Sequence, residues 1–232
     1  MRAGLTAAVN RLRRRQKSLS THWATHRNCC SGRYVRWVDD ISWSSGTWTN
    51  APVEALTAGD GLRVTAVEGS DAWRLTSYGF VHDTEHALLA PFPNGTAMEV
   101  TFRLDFTDQF DQAGIFVSVD EETWIKAGVE RSDGENSLGA VVTRVFSDWS
   151  LSPVPDWHGK LVTIRASRSG NALTVRARVD GGDWRLVRVA PLGEEATVTA
   201  GPMCCAPSRS GFQVQFTAWQ TGAADGSLHP DK

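Results

Sequence analysis

Trp124, Lys126 and Glu130 share the run Trp124-Ile125-Lys126-Ala127-Gly128-Val129-Glu130. In an extended chain this spacing sets a flat indole, a cation and a carboxylate on one side, with Ile125, Ala127 and Val129 on the other. The apolar row suits a core, and the opposite row suits a polar ligand better than a bare solvated face. Asp111-Gln112-Ala113-Gly114-Ile115-Phe116-Val117 leads polar groups into another apolar strand. Ser147-Asp148-Trp149-Ser150 joins a carboxylate, an indole and hydroxyls, and the segment from Asp71 to Asp83 adds Trp73, Arg74, Tyr78 and His82. Together these runs predict a polar, Trp-lined concavity.

Two chemistries fit such a set. In a binding site, Trp73, Trp124 and Trp149 offer flat apolar faces, each with one donor, on which a sugar ring can stack. Arg74, Tyr78, Asp111, Gln112, Lys126, Glu130 and Asp148 would then fix its orientation. In a glycosidase, Glu130 would work with Asp111 or Asp148 at about 5–5.5 Å for retention or 6.5–9.5 Å for inversion. His82 is a further acid/base candidate. Lys126 is expected to hold Glu130 ionised, which suits an acceptor or nucleophile better than a general acid.

Each residue also has a plainer role. With ten Trp in the chain most must pack the core. Asp111 could cap nearby backbone amides, and one His beside Asp83 is a structural histidine more readily than a metal ligand. Gly114 and Gly128 inside strands allow a close approach to the sheet, by a ligand or at a bulge. No nucleotide, nucleophile-elbow or zinc signature is present, and no cofactor or metal is expected.

The elements that must hold these residues are short strands. Leu62 to Val67, Met98 to Phe106, Gly139 to Thr143, Leu161 to Arg165, Leu173 to Val179, Trp184 to Val189 and Phe212 to Phe216 alternate or run apolar between Gly-rich turns. Asp180-Gly181-Gly182-Asp183 reads as a tight hairpin. This pattern predicts an all-β sandwich or jelly roll.

Charge divides the chain of 232 residues unevenly. Nine of its 24 Lys and Arg lie in residues 1–36, which contain no acid, so residues 37–232 carry 15 against 26 acids, a net −11. The body is thereby a poor partner for nucleic acid. The head reads as a disordered basic extension (1–36), with a transit peptide or a basic arm as alternatives. The folded domain is expected at 37–220 and a polar tail at 221–232. No run is long enough to span a membrane. Cys29-Cys30 and Cys204-Cys205 lack metal or redox spacing, so buried thiols and a cytoplasmic setting are expected.

In their order, Asp71 to Phe80, Asp111 to Gly114, Trp124 to Glu130, Val142-Thr143, Ser147 to Ser150, Cys205-Ala206-Pro207 and Gly211-Phe212-Gln213-Val214 resemble a known family. It is the regulation-of-enolase type, a domain of unknown function within the concanavalin A-like lectin/glucanase superfamily, and the resemblance covers about Trp43 to Phe216. It implies a jelly-roll sandwich of two antiparallel sheets, one convex and one concave, with a ligand on the concave sheet. Ala206 stands where such proteins often have Ser, and the strand-borne Glu-x-Asp-x-x-Glu pattern of superfamily glucanases is missing. The implied role is binding of a carbohydrate or other small polar ligand, with a sugar-modifying enzyme and a protein-interaction domain as rivals.

Overall fold

The computed structural model describes residues 38–229. Expectations for the basic head, Cys29-Cys30 and Trp37 lie outside those residues, as do those for Pro230 to Lys232. In chain order the strands are β1 (Val38–Asp40), β2 (Thr47–Trp48), β3 (Glu54–Ala58), β4 (Gly61–Thr65), β5 (Ala72–Arg74), β6 (Val81–Asp83), β7 (His86–Pro91), β8 (Thr96–Arg103) and β9 (Gln112–Asp120). Next come β10 (Thr123–Ser132), β11 (Glu135–Arg144), β12 (Phe146–Pro153), β13 (Leu161–Ser169), β14 (Ala172–Val179), β15 (Arg185–Pro191), β16 (Thr199–Cys205) and β17 (Gln213–Ala223). Among the described residues a single 3-10 turn, Pro155–Trp157, interrupts them.

Two antiparallel sheets carry the fold, as the alternating sequence predicts. One runs β15-β14-β13-β8-β17-β4-β3, with β1 also paired to β17; the other runs β12-β11-β10-β9-β16-β7-β2. Between them Val100, Phe102, Ile164, Val175, Phe216 and Trp219 of the first meet Leu88, Ile115, Ile125, Ala127, Val129 and Ala140 of the second, all buried. The register expected for β10 therefore holds, and Trp124, Lys126 and Glu130 lie on the outer face of the seven-stranded sheet. A short ribbon, β5 paired with β6, lies against that outer face.

The expected end of the domain at Gln220 falls inside β17, which continues to Ala223. The residues after β17 are tied to the sheet rather than forming a loose tail. Asp225 accepts from Arg165 Nε at 3.0 Å and Arg176 Nε at 3.1 Å, and the Leu228 carbonyl accepts from Arg176. Arg165 is fully buried on the outer face of the eight-stranded sheet and also donates to Glu99 Oε1 at 2.5 Å. A buried guanidinium requires such partners, and apart from Glu99 of β8 they come from the residues that composition marked as polar tail.

Candidate ligand-binding site

Across β9, β10 and β11 the outer face carries a row of three glycines in register, Gly114, Gly128 and Gly139. A Cβ on Gly128 would stand 2.1 Å from the Ala113 carbonyl oxygen, and one on Gly114 2.0 Å from that of Ala127. What approaches these glycines is the neighbouring backbone itself, not a bulge. The missing side chains leave a trough with Gly128 and Gly139 as its floor, Lys126, Val141 and Trp149 on one side, Glu130 and Gln112 on the other, and Leu151 and Met203 at its ends. Its enclosed volume is about 20 Å³, room for little more than one water.

Lys126 is almost entirely buried, and its ammonium donates to Asp71 Oδ1 at 2.9 Å and Gln112 Oε1 at 2.8 Å. Gln112 stands opposite Glu130, whereas Lys126 stands opposite Phe116. The lysine stem must therefore run along the strands past Gly128, over ground that a larger residue would occupy. Burial alone would raise the Asp71 carboxyl, but the Lys126 charge and hydrogen bond outweigh it and hold it below its ordinary value. For Lys126 burial acts downward, yet Asp71 and its neighbours leave the ammonium raised. Both shifts describe one settled ion pair, which ties the start of the β5–β6 ribbon to the sheet.

Glu130 is the unsettled group. Half-buried on the trough wall, it makes no hydrogen bond among the described residues. Burial raises its carboxyl to about 7, with Lys126 only partly opposing. The expectation that Lys126 keeps Glu130 ionised is thus corrected, because the lysine is committed to Asp71 and Gln112. Glu85, buried beside β7, is also raised to about 7 by desolvation. Both groups hold protons in the fold that the unfolded chain releases from about pH 4.5 upward, so stability should fall as pH rises from about 4.5 to 7 and level off above it. Glu130→Gln should flatten that fall, with its largest gain over wild type at pH 8 and none at pH 4.5. Melting temperatures across this range check it. His86, whose pKa burial lowers, loses stability as pH falls below its ordinary 6.5, but equally in both proteins, so the difference isolates Glu130.

The remaining candidates separate. Asp111 is fully buried: Arg209 donates to both its oxygens, at 3.0 and 2.7 Å, and the Thr107 and Asp108 amides reach Oδ2 at 3.2 Å. It clamps a loop and faces no ligand, which is the capping role. Asp148 pairs with Arg188 of β15 at 2.6 Å, and strand alternation sends it to the opposite side from Trp149. It does not reach the trough. Trp124 shares the face of Lys126 but is buried and stacked on Phe116 at 5.3 Å, so it offers no platform. Trp73 is buried too, its indole donating to the Thr76 carbonyl at 2.9 Å. Trp149 is the exposed indole of the trough.

Arg74 turns to Glu122 at 2.7 Å, outside the trough. His82 packs edge-on against Phe80, and Tyr78 stacks on Phe80 at the ribbon tip. As hydrolytic partners for Glu130, Asp111 and Asp148 are excluded by these positions. The sequence reading missed Asp71, which seats Lys126, although it heads the Asp71-Ala72-Trp73-Arg74 run; it also missed Met203 and Glu85. Among the described residues no group of three or more His, Cys, Asp or Glu could hold a metal, Cys204 and Cys205 are buried free thiols, and no helix is long and apolar enough to cross a membrane.

With this geometry in place, the family profile described as "Protein of unknown function (DUF1349)" matches residues 48–224. Regulation of enolase protein 1 of Saccharomyces cerevisiae is 34% identical over 187 residues, covering 80% of this chain and 94% of that protein. The crystal structure of a functionally unknown Saccharomyces cerevisiae protein superposes with a TM-score of 0.75 at 33% identity, over 80% of this chain and all of the other. A xylan beta-1,4-xylosidase from Bacillus halodurans gives 0.57 at 15% identity, over 70% of this chain and 32% of its own. At that identity the likeness is one of fold alone.

Proposed function

Since the chain belongs to the DUF1349 family of proteins of unknown function, in which the yeast regulation-of-enolase protein is a relative, we propose that it is a non-catalytic domain binding a carbohydrate or other small polar ligand in the trough of the seven-stranded sheet. The observation that carries this reading is Glu130, a carboxyl with no hydrogen bond among the described residues, facing a glycine-floored trough whose rim is the exposed Trp149. An indole face can cover the apolar side of a sugar ring while a carboxyl near neutrality accepts from, or donates to, its hydroxyls. Hydrolysis is the weaker reading. Of the carboxyls named as partners for Glu130, Asp111 is held by Arg209 and Asp148 by Arg188, away from the trough.

The role proposed is a regulatory one in sugar metabolism, in keeping with the name of the yeast relative, and the setting proposed is the cytoplasm, which suits the buried free thiols Cys204 and Cys205. A glycan and metabolite screen on the full chain tests it. Glu130→Gln should weaken the ligand found by ~1.5–3 kcal/mol through loss of a charge-assisted hydrogen bond, with the fold intact. A catalytic Glu130 would instead keep its affinity and lose turnover. Unchanged affinity for every hit would end the role of Glu130.

A further inference from the structure

Trp149 is the first ring of a continuous aromatic series that leaves the trough. It meets Trp73 edge-on at 6.1 Å, Trp73 meets Tyr78 at 5.8 Å, and Tyr78 stacks on Phe80 at 5.2 Å with the planes 11° apart. Trp73 is buried and serves as the spacer, whereas Trp149 (41% exposed), Tyr78 (63%) and Phe80 (42%) present their rings to water. Large rings so exposed and contiguous are unusual on a surface with no partner.

The loop that displays them is held in a costly shape. Leu75 and Ser77 have φ of 62° and 63°, in the left-handed region that non-glycine residues avoid, and Gly79 follows at 73°. Its amides are satisfied internally, Leu75 N donating to the Phe80 carbonyl and Gly79 N to that of Leu75, and the Trp73 indole locks Thr76. Strain of this kind persists where the surroundings over-determine it, and it gathers at ligand clamps. Here it fixes Tyr78 and Phe80 in place before any ligand arrives. The trough, meanwhile, encloses too little volume to wrap a sugar, so most of the contact area must lie outside it.

We infer that the ligand is an oligosaccharide, with one ring over Trp149 at the trough and later rings along Tyr78 and Phe80. The inference rests on the saccharide reading of the trough and adds chain length to it. Flat, pre-set rings with hydroxyl-binding groups at one end suit a chain of pyranose rings better than a single sugar.

The test uses the full chain and α- and β-linked glucose and xylose oligomers of one to six units, by calorimetry. Affinity should rise by about tenfold or more from the monomer to the trimer or tetramer. Tyr78→Ala with Phe80→Ala should return longer oligomers to monomer affinity and leave the monomer unchanged; Tyr78→Ala alone, at so exposed a position, guards against a folding defect. Trp149→Ala should weaken every length. Equal affinity at all lengths, untouched by the Tyr78 and Phe80 changes, overturns the oligosaccharide and leaves the trough reading standing. No binding of any saccharide overturns the oligosaccharide and the saccharide reading of the trough together, as does a protein ligand lost on the Tyr78 and Phe80 changes when no saccharide binds.

Discussion

Arg165→Met should destabilise the protein by about 3–5 kcal/mol, the usual cost of breaking a buried ion pair from one side. Arg165 is fully buried, with Glu99 and Asp225 side chains only 5% and 9% exposed beside it. Methionine fills much of the space but leaves two carboxylates to share Arg176 and Arg178, which already contact them at 3.1 and 3.4 Å. For a domain of this size the melting temperature should fall by ~10 °C or more. Arg165→Met with Glu99→Leu should recover part of the loss, since an apolar replacement of both partners removes the stranded charge. A single variant that melts like wild type would mean that water reaches this face and the network is surface decoration.

The second large effect is expected at Lys126. Lys126→Met removes the cation from Asp71 and the donor from Gln112, at a cost of about 3 kcal/mol, the lower end for such pairs because Asp71 retains 23% exposure. Its particular signature is local. The ribbon of Trp73 and Tyr78 loses its anchor, so amide exchange should quicken in residues 71–83 before it does in β10. Asp71→Asn should cost less, and the double variant less than the two losses together, with a coupling of about 0.5–3 kcal/mol. Additive losses would show that Lys126 and Asp71 act independently.

What was legible in the sequence was the short-range part. Alternation placed Ile125, Ala127 and Val129 inward and Trp124, Lys126 and Glu130 outward, because a period of two is set by the backbone of one strand. The same rule, applied to Ser147-Asp148-Trp149, separates Asp148 from Trp149. The partners that decide each role lie far along the chain. Lys126 meets Asp71 across 55 residues, and Asp111 meets Arg209 across 98. Trp124 differs from Trp149 only in being covered, which depends on how the sheet and its ribbon pack. Nearness in sequence pairs Glu130 with Lys126, and only the three-dimensional arrangement shows that lysine spent elsewhere.

The place of β17 bears on how the protein is made. It lies between β8 and β4, and β1 also pairs with it, yet among the described residues it is the last strand to be synthesised. At about 5–20 residues per second, the roughly 110 residues between β8 and β17 take about 5–20 s to synthesise. Through that interval β8 and β4 each have an open edge where β17 will sit, and the apolar rows beside them lack Phe216 and Trp219. The sandwich is therefore completed only once β17 has been made, after the strands on either side of it. Until then the nascent protein is a natural client for chaperones that shield unpaired strands.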